Sequence, residues 1–267
     1  LSRRCDPGEE RLDELLRLAH EREDGAVMVG VDVDVEQSRR RRERIPERAD
    51  HGLVATLGEV RHRLEHGSYS RRVKAYYEAR AAEYDDWWLG TGRFEQRERP
   101  GWDEERDRLI SMLAALRPAH TLDVACGTGF LTQHLPGAVT GLDQSAAMLE
   151  VASVRVPGAG FVQSDALRLP FEEGTFERVF TSHFYGHLAE EERDRFLTEA
   201  RRVAPELVVV DSALRDDVQP VEWQERILND GSRWEVFKRY FEPEELAAEL
   251  GGGETIFAGR WFVAARA

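Results

Sequence analysis

The chain has 267 residues, enough for one large domain or two modest ones, and its formal net charge of −14 repels a polyanion, so nucleic acid is not an expected partner. Hydrophobic residues make up 41%, yet no apolar run approaches the roughly 18 residues that cross a bilayer and the N-terminus lacks a basic-then-apolar leader; a cytoplasmic chain without a membrane span is expected. The two cysteines, Cys5 and Cys126, stand far apart and outside any metal-type spacing, which argues against a disulfide framework and against a zinc site.

Residues 1–68 read as a small N-terminal appendage, partly helical or mobile. Leu12, Leu15, Leu16 and Ala19 recur at helical spacing, and Val27, Val29, Val31, Val33 and Val35 alternate as in a half-buried strand. A second helical pattern holds Leu53, Val54, Leu57, Val60 and Leu64. The arginine run Arg39 to Arg42 between them reads as a solvated face.

From Tyr69 the pattern becomes that of an α/β domain, residues 69–267. A helix through Val73, Tyr76, Tyr77, Ala81 and Tyr84 leads into an aromatic, glycine-rich segment and a helix from about Asp103 to Leu116, stopped by Pro118. Strands over 121–125, 138–142, 160–163, 178–182 and 207–211 then alternate with helical patterns, which implies parallel strands joined by crossover helices. The insertion over about 212–240 carries Trp223, Trp234, Phe237 and Tyr240 beside Arg226, Arg233, Lys238 and Arg239, a composition suited to a lid over an acceptor pocket. Strands over 254–258 and 260–265, separated by Gly259, read as a hairpin closing the sheet.

Chemistry is concentrated at the strand ends. In Thr121-Leu122-Asp123-Val124-Ala125-Cys126-Gly127-Thr128-Gly129-Phe130, an apolar strand runs into a turn where Gly127 and Gly129 let the backbone lie against a ligand, with helix amides expected beyond. Asp143, twenty residues after Asp123 and at the end of the next strand, is placed to accept hydrogen bonds from both hydroxyls of a ribose. At the third strand end Asp165 can accept from an adenine amino group, beside apolar Ala166, Leu167 and Leu169. Ligands of open α/β sheets bind outside the carboxyl ends of the strands, so the three loops belong to one crevice.

These segments, Leu122 to Gly129, Gly141-Leu142-Asp143 and Ser164-Asp165-Ala166-Leu167-Arg168-Leu169-Pro170-Phe171, resemble the motif series of the class I S-adenosylmethionine-dependent methyltransferases of small-molecule type, over roughly Tyr69 to Ala267. The resemblance implies a doubly wound, mostly parallel seven-stranded Rossmann-like sheet with a C-terminal antiparallel hairpin. It also implies S-adenosyl-L-methionine as cofactor and a small-molecule acceptor. By this likeness Gly127 and Gly129 lie under the methionine portion, with Asp123 and Ala125 of the same motif among the cofactor contacts; the family usually has a further glycine at Ala125. Asp143 holds the ribose, Asp165 with Ala166 frames adenine, and Gln144 and Met148 add contacts. Tyr77 and Tyr84 resemble paired aromatics that cover the methionine end, their alternative being helix packing, and Ser182 and His183 reach the sulfonium.

Methyl transfer to a hydroxyl or ammonium requires a base. In Thr181-Ser182-His183-Phe184-Tyr185-Gly186-His187 either His183 or His187 suits the role, because an unperturbed imidazole titrates at about 6.5. A closed pocket lined by His183, Tyr185, His187 and Trp223 is the expected acceptor site. Two other readings stand beside this one. A non-catalytic module would sense the cofactor or its demethylated product, and a nicotinamide oxidoreductase would use a similar glycine turn, although Thr132 stands where that fingerprint wants a small residue and Asp165 is left without a role.

Overall fold

A computed structural model describes residues 68–267, so the appendage expected over 1–68 lies outside the described residues except for Ser68. The domain opens with α1 (Ser68–Arg80), extended by a 3-10 turn over Ala81–Glu83, then a single turn, α2 (Asp86–Leu89), stopped by left-handed Gly90. A longer helix, α3 (Trp102–Ala114), follows. Among the described residues no helix is long and apolar enough to cross a membrane.

Strands β1 (Thr121–Val124), β2 (Val139–Asp143), β3 (Gly160–Gln163), β4 (Arg178–Ser182) and β5 (Glu206–Ser212) pair in parallel. Between β5 and the last helix, β6 (Val221–Ile227) and β7 (Arg233–Arg239) form a separate antiparallel hairpin, whose base is tied by a bridge between Ala213 and Phe241. Finally β8 (Glu254–Ala258) and β9 (Phe262–Arg266) complete the main sheet, both pairings of β9 being antiparallel. The seven-stranded order is β3-β2-β1-β4-β5-β9-β8. The chain walks outward from β1 to β3 and returns to β4, so loops diverge above β1 and β4 and open a crevice there.

Both faces of this sheet are covered, and the strands show it. Along β5, Val208 and Val210 join a cluster with Leu109 and Leu113 of α3, while Leu207 and Val209 join Phe196, Ala200 and Val203 of α5 (Glu190–Val203) on the opposite face. The spacing of Phe196, Ala200 and Val203 is the apolar stripe of an amphipathic helix. The core therefore forms two layers about a buried parallel sheet.

Crossovers are less helical than the strand alternation suggests. After β1 the chain makes turns and one 3-10 turn, Thr132–His134, where a helix was expected, because Pro136 and left-handed Gly137 close the segment within a few residues. The link from β3 to β4 likewise contains turns alone, whereas β2 and β3 are joined by α4 (Ala146–Arg155), capped by the Ser145 hydroxyl. The last strand starts at Phe262 and not at residue 260. Glu105 of α3, itself buried, accepts the amides of Arg260, Trp261 and Phe262 at 2.9, 2.7 and 2.9 Å, which bends the chain away from the ladder. A side chain at Gly259 would collide with that carboxylate, so the turn requires glycine.

The β6–β7 hairpin folds back onto α1. Tyr76, Leu228 and Val236 form a small buried cluster, and the Trp234 ring lies 5.9 Å from that of Tyr76. On its other side α1 is bound to α4, whose first two amides, of Ala146 and Ala147, donate to the Glu78 carboxylate at 3.0 and 3.1 Å. Thus α1 bridges the sheet's ligand edge and the hairpin.

Candidate active site

The crevice above β1, β2 and β4 is a cavity with an empty volume of about 980 Å³. Tyr77, Tyr84, Ala125, Gly127, Asp143, Gln144, Met148, Asp165, Ala166 and Ser182 all line it, as do His183 and His187. Asp123 and Gly129 do not. Asp123 points beneath the turn, where its Oδ2 accepts the Thr132 hydroxyl at 2.6 Å and its Oδ1 is buried without a partner. Burial pushes its carboxyl up to about 7. Gly129 packs against α4, with room for a side chain blocked by Ala152 and Val156 at 3.3 Å.

The turn itself is shaped for close approach. Gly127 is left-handed (φ 55°), and the Tyr84 ring lies 3.7 Å from where its Cβ would be, so any side chain there would fill the slot under the phenol. Ala125 also holds φ 57° and His183 φ 51°, conformations that L residues rarely adopt. Strain thus gathers at the ends of β1 and β4.

Asp143 is held rigidly. Its Oδ2 accepts the Gly127 amide and its Oδ1 the Ser145 amide, each at 2.9 Å. Burial raises its carboxyl to about 6 against the pull of those amides, and each oxygen keeps a further lone pair for a ligand hydroxyl. Across the cavity Asp165 accepts the Leu167 amide at 2.9 Å, fixing the loop beside Ala166.

A second cavity, with an empty volume of about 1360 Å³, lies on the far side of Tyr77, Tyr84, His183 and His187, which border both. Its walls come from the segment after α1, from the end of β5 and from the β6–β7 hairpin, including Trp223. Tyr185 is not part of it, although expected there: its ring is buried against Phe196 and Phe241, and its hydroxyl donates to Glu249 at 3.1 Å. Trp234 is turned to Tyr76 and away from this cavity.

The two histidines differ in their settings. His187 Nδ1 is 2.5 Å from the Phe237 carbonyl oxygen; a carbonyl only accepts, so Nδ1 carries the proton and Nε2 keeps a lone pair. Burial, with Lys238 and Arg226 nearby, holds its pKa well below the ordinary value. His183 packs edge-on to Trp87 and Trp88, with Nδ1 3.4 Å from the Ser212 hydroxyl and 3.9 Å from Asp211, and its Nε2 is buried without a partner. Burial lowers its pKa to about 3. Both imidazoles are therefore neutral near pH 7.

Asp211 and Lys238, a pair that sequence reading did not single out, lie beneath them. The Asp211 carboxylate accepts the Gly186 and Ser212 amides at 2.7 Å and the Lys238 ammonium at 2.5 Å. Burial opposes its charge, but Lys238 and His183 keep its pKa below the ordinary value. A Cβ at Gly186 would approach the Arg239 carbonyl to 2.6 Å, so glycine lets this loop contact β7. The sequence signals were an acid at the end of the fifth strand and Lys238 among the cations of the insertion, with nothing to join the two.

Comparison with known proteins agrees with this geometry. A family profile described as a methyltransferase domain matches residues 122–206, which runs from β1 to the start of β5 and leaves the hairpin outside. The chain is 34% identical to demethylmenaquinone methyltransferase of Thermotoga maritima over 37% of its own length and 44% of that protein's. It is 37% identical to phthiotriol/phenolphthiotriol dimycocerosates methyltransferase 1 of Mycobacterium ulcerans over 39% and 40%. The chain thus spans less than half the length of these curated relatives. The solved DhpI–SAH complex superposes with a TM-score of 0.54 at 26% identity, covering 72% of this chain and 92% of that one. With the strand order, the glycine turn and the strand-end acids already described, these likenesses support a class I S-adenosylmethionine-dependent methyltransferase, the methyltransferase-domain family being matched over residues 122–206.

Proposed function

We propose that the protein transfers the methyl group of S-adenosyl-L-methionine to a small-molecule acceptor, with the cofactor in the first cavity and the acceptor in the second. The observation that carries this reading is the wall of Tyr77, Tyr84, His183 and His187 common to the two cavities. Asp143 accepts the ribose hydroxyls, Asp165 and Ala166 frame adenine, and Gly127 under the Tyr84 ring takes the methionine portion. When bound, the cofactor supplies an electrophilic methyl that passes to the acceptor's lone pair as the carbon–sulfur bond breaks toward sulfur.

The chain's own contribution is to align, to exclude water and to take up a proton. Holding two reactants in line can supply several kcal/mol of the barrier, about 7 or more in favourable cases. The β6–β7 hairpin forms one wall of the second cavity and so limits solvent around a bound acceptor. For a hydroxyl or amine acceptor, Nε2 of His183 or His187 receives the proton, and Asp211, 3.9 Å from His183 Nδ1, stabilises the imidazolium that results. The surrounding acidic chain disfavours nucleic acid as acceptor.

The test is incubation with methyl-labelled S-adenosylmethionine and metabolite extracts, read by mass spectrometry. A labelled low-mass product that vanishes in His183→Gln or His187→Gln supports the reading. Tight cofactor binding with no labelled product from any extract favours a cofactor-sensing module instead.

A further inference from the structure

The second cavity carries a charge pattern opposite to that of the chain as a whole. Arg80, Arg99 and Arg226 line it, and none forms an ion pair with a carboxylate among the described residues. Two of the four acids on the same walls are paired with other cations, Asp217 with Arg215 at 2.9 Å and Glu225 with Arg233 at 2.7 Å, while Glu222 accepts the Tyr240 hydroxyl at 3.0 Å and Glu98 also lines the cavity. Buried or half-buried guanidinium groups without anionic partners are costly in a protein whose net charge is −14.

Each arginine is held in place by neutral groups. Arg80 is 6% exposed, donates to the Tyr76 hydroxyl at 2.6 Å and lies 4.8 Å from the Tyr84 ring centre. Arg99 donates to the Trp87 carbonyl at 2.6 Å and covers Trp102 at 4.0 Å. Arg226 of β6 donates to the Gln224 side chain. Neutral anchors fix direction without neutralising charge, leaving fork-shaped donors for planar or tetrahedral oxyanions.

We propose that the acceptor is a small organic acid whose carboxylate or phosphate-type oxyanion is held by Arg80, Arg99 and Arg226 between the aromatic walls of the second cavity. This rests on the reading of that cavity as the acceptor site. Arg226 also depresses the protonation of both His183 and His187, so its charge is felt at the shared wall where transfer is placed. An oxyanion bound there offsets that field beside the groups that take up the proton.

The experiment is calorimetric titration of the full chain, cofactor-free and loaded with S-adenosylhomocysteine. The probes are 4-hydroxybenzoate, phenyl phosphate and their neutral counterparts, 4-hydroxybenzamide and phenol. The expected result is saturable binding of at least one anion, with its neutral counterpart about tenfold weaker or more. Arg226→Gln should weaken the anion by about tenfold, and Arg226→Lys by less, with S-adenosylhomocysteine affinity unchanged. Whichever anion binds more tightly separates carboxylate from phosphate chemistry. Equal binding of acid and neutral counterpart, no binding of either anion, or full retention by a folded Arg226 variant overturns the inference. Failure of the wild-type chain to bind S-adenosylhomocysteine overturns the assignment of the first cavity instead.

Discussion

At Asp143 one carboxylate serves two ends, since it already ties the Gly127 turn to the start of α4 and still offers lone pairs to the cavity. Asp143→Ala should weaken S-adenosylmethionine binding by about 1.5–3 kcal/mol, the worth of hydrogen bonds to a charged group, in a protein that still folds. Calorimetry beside a thermal melt checks both halves. Because its pKa is raised to about 6 before ligand arrives, and hydroxyl donors favour the ionised form, affinity should be constant above pH 6 and fall toward tenfold per unit below it. In Asp143→Asn that slope should vanish. Ala125 makes a different point. Its left-handed backbone costs about 1–2 kcal/mol, and glycine would return about 0.4–1 of this through the greater freedom of the unfolded chain. Ala125→Gly should therefore stabilise the protein by roughly 0.5–1 kcal/mol, a rise of about 2 °C in Tm by calorimetry.

At the scale of elements, the β6–β7 hairpin has one aromatic for attachment and one for the cavity. Trp234 rests on Tyr76 of α1 and donates its indole N–H to the Ser232 hydroxyl at 2.9 Å, whereas Trp223 lines the second cavity. Trp234→Ala should lower stability by about 2–4 kcal/mol, somewhat under the range of about 3–5 for fully buried aromatic truncations because the site is only partly buried. Trp223→Ala should instead raise the acceptor KM with a smaller change in Tm. If the two variants exchange these effects in melts and kinetics, the division of labour is wrong. Helix α1 links the two sites: Glu78 reaches α4, Tyr77 faces both cavities and Arg80 faces the second.

At the scale of the whole molecule, the described residues after 68 supply a complete seven-stranded sheet and walls for both cavities, so a chain beginning at residue 68 should fold and bind S-adenosylmethionine with near wild-type affinity. Loss of binding in a soluble truncated chain would show that residues 1–67 belong to the site. The first cavity, proposed for the cofactor, was legible in the sequence because its signals are local. Strand periodicity, glycines at a turn and an acid at the next strand's end all lie within a short stretch of chain, and pairing β1 with β2 brings Asp143 to the Gly127 amide. Local signals did not give direction: Asp123 and Gly129 belong to the same turn as Gly127 but face its underside and do not line the cavity. The second cavity, proposed for the acceptor, depends on packing between segments far apart in sequence. Arg80 of α1 and Arg226 of β6 meet at one cavity because the hairpin folds back on α1, and His183 and His187 lose their charge because burial removes the water that would solvate it. Sequence by itself determined the methyltransferase motif series and the crevice at the strand ends, whose parts are set by backbone geometry and near neighbours. Tertiary structure alone decided which charges are left unpaired and which imidazoles stay neutral, since desolvation and long-range contacts exist only in the folded chain.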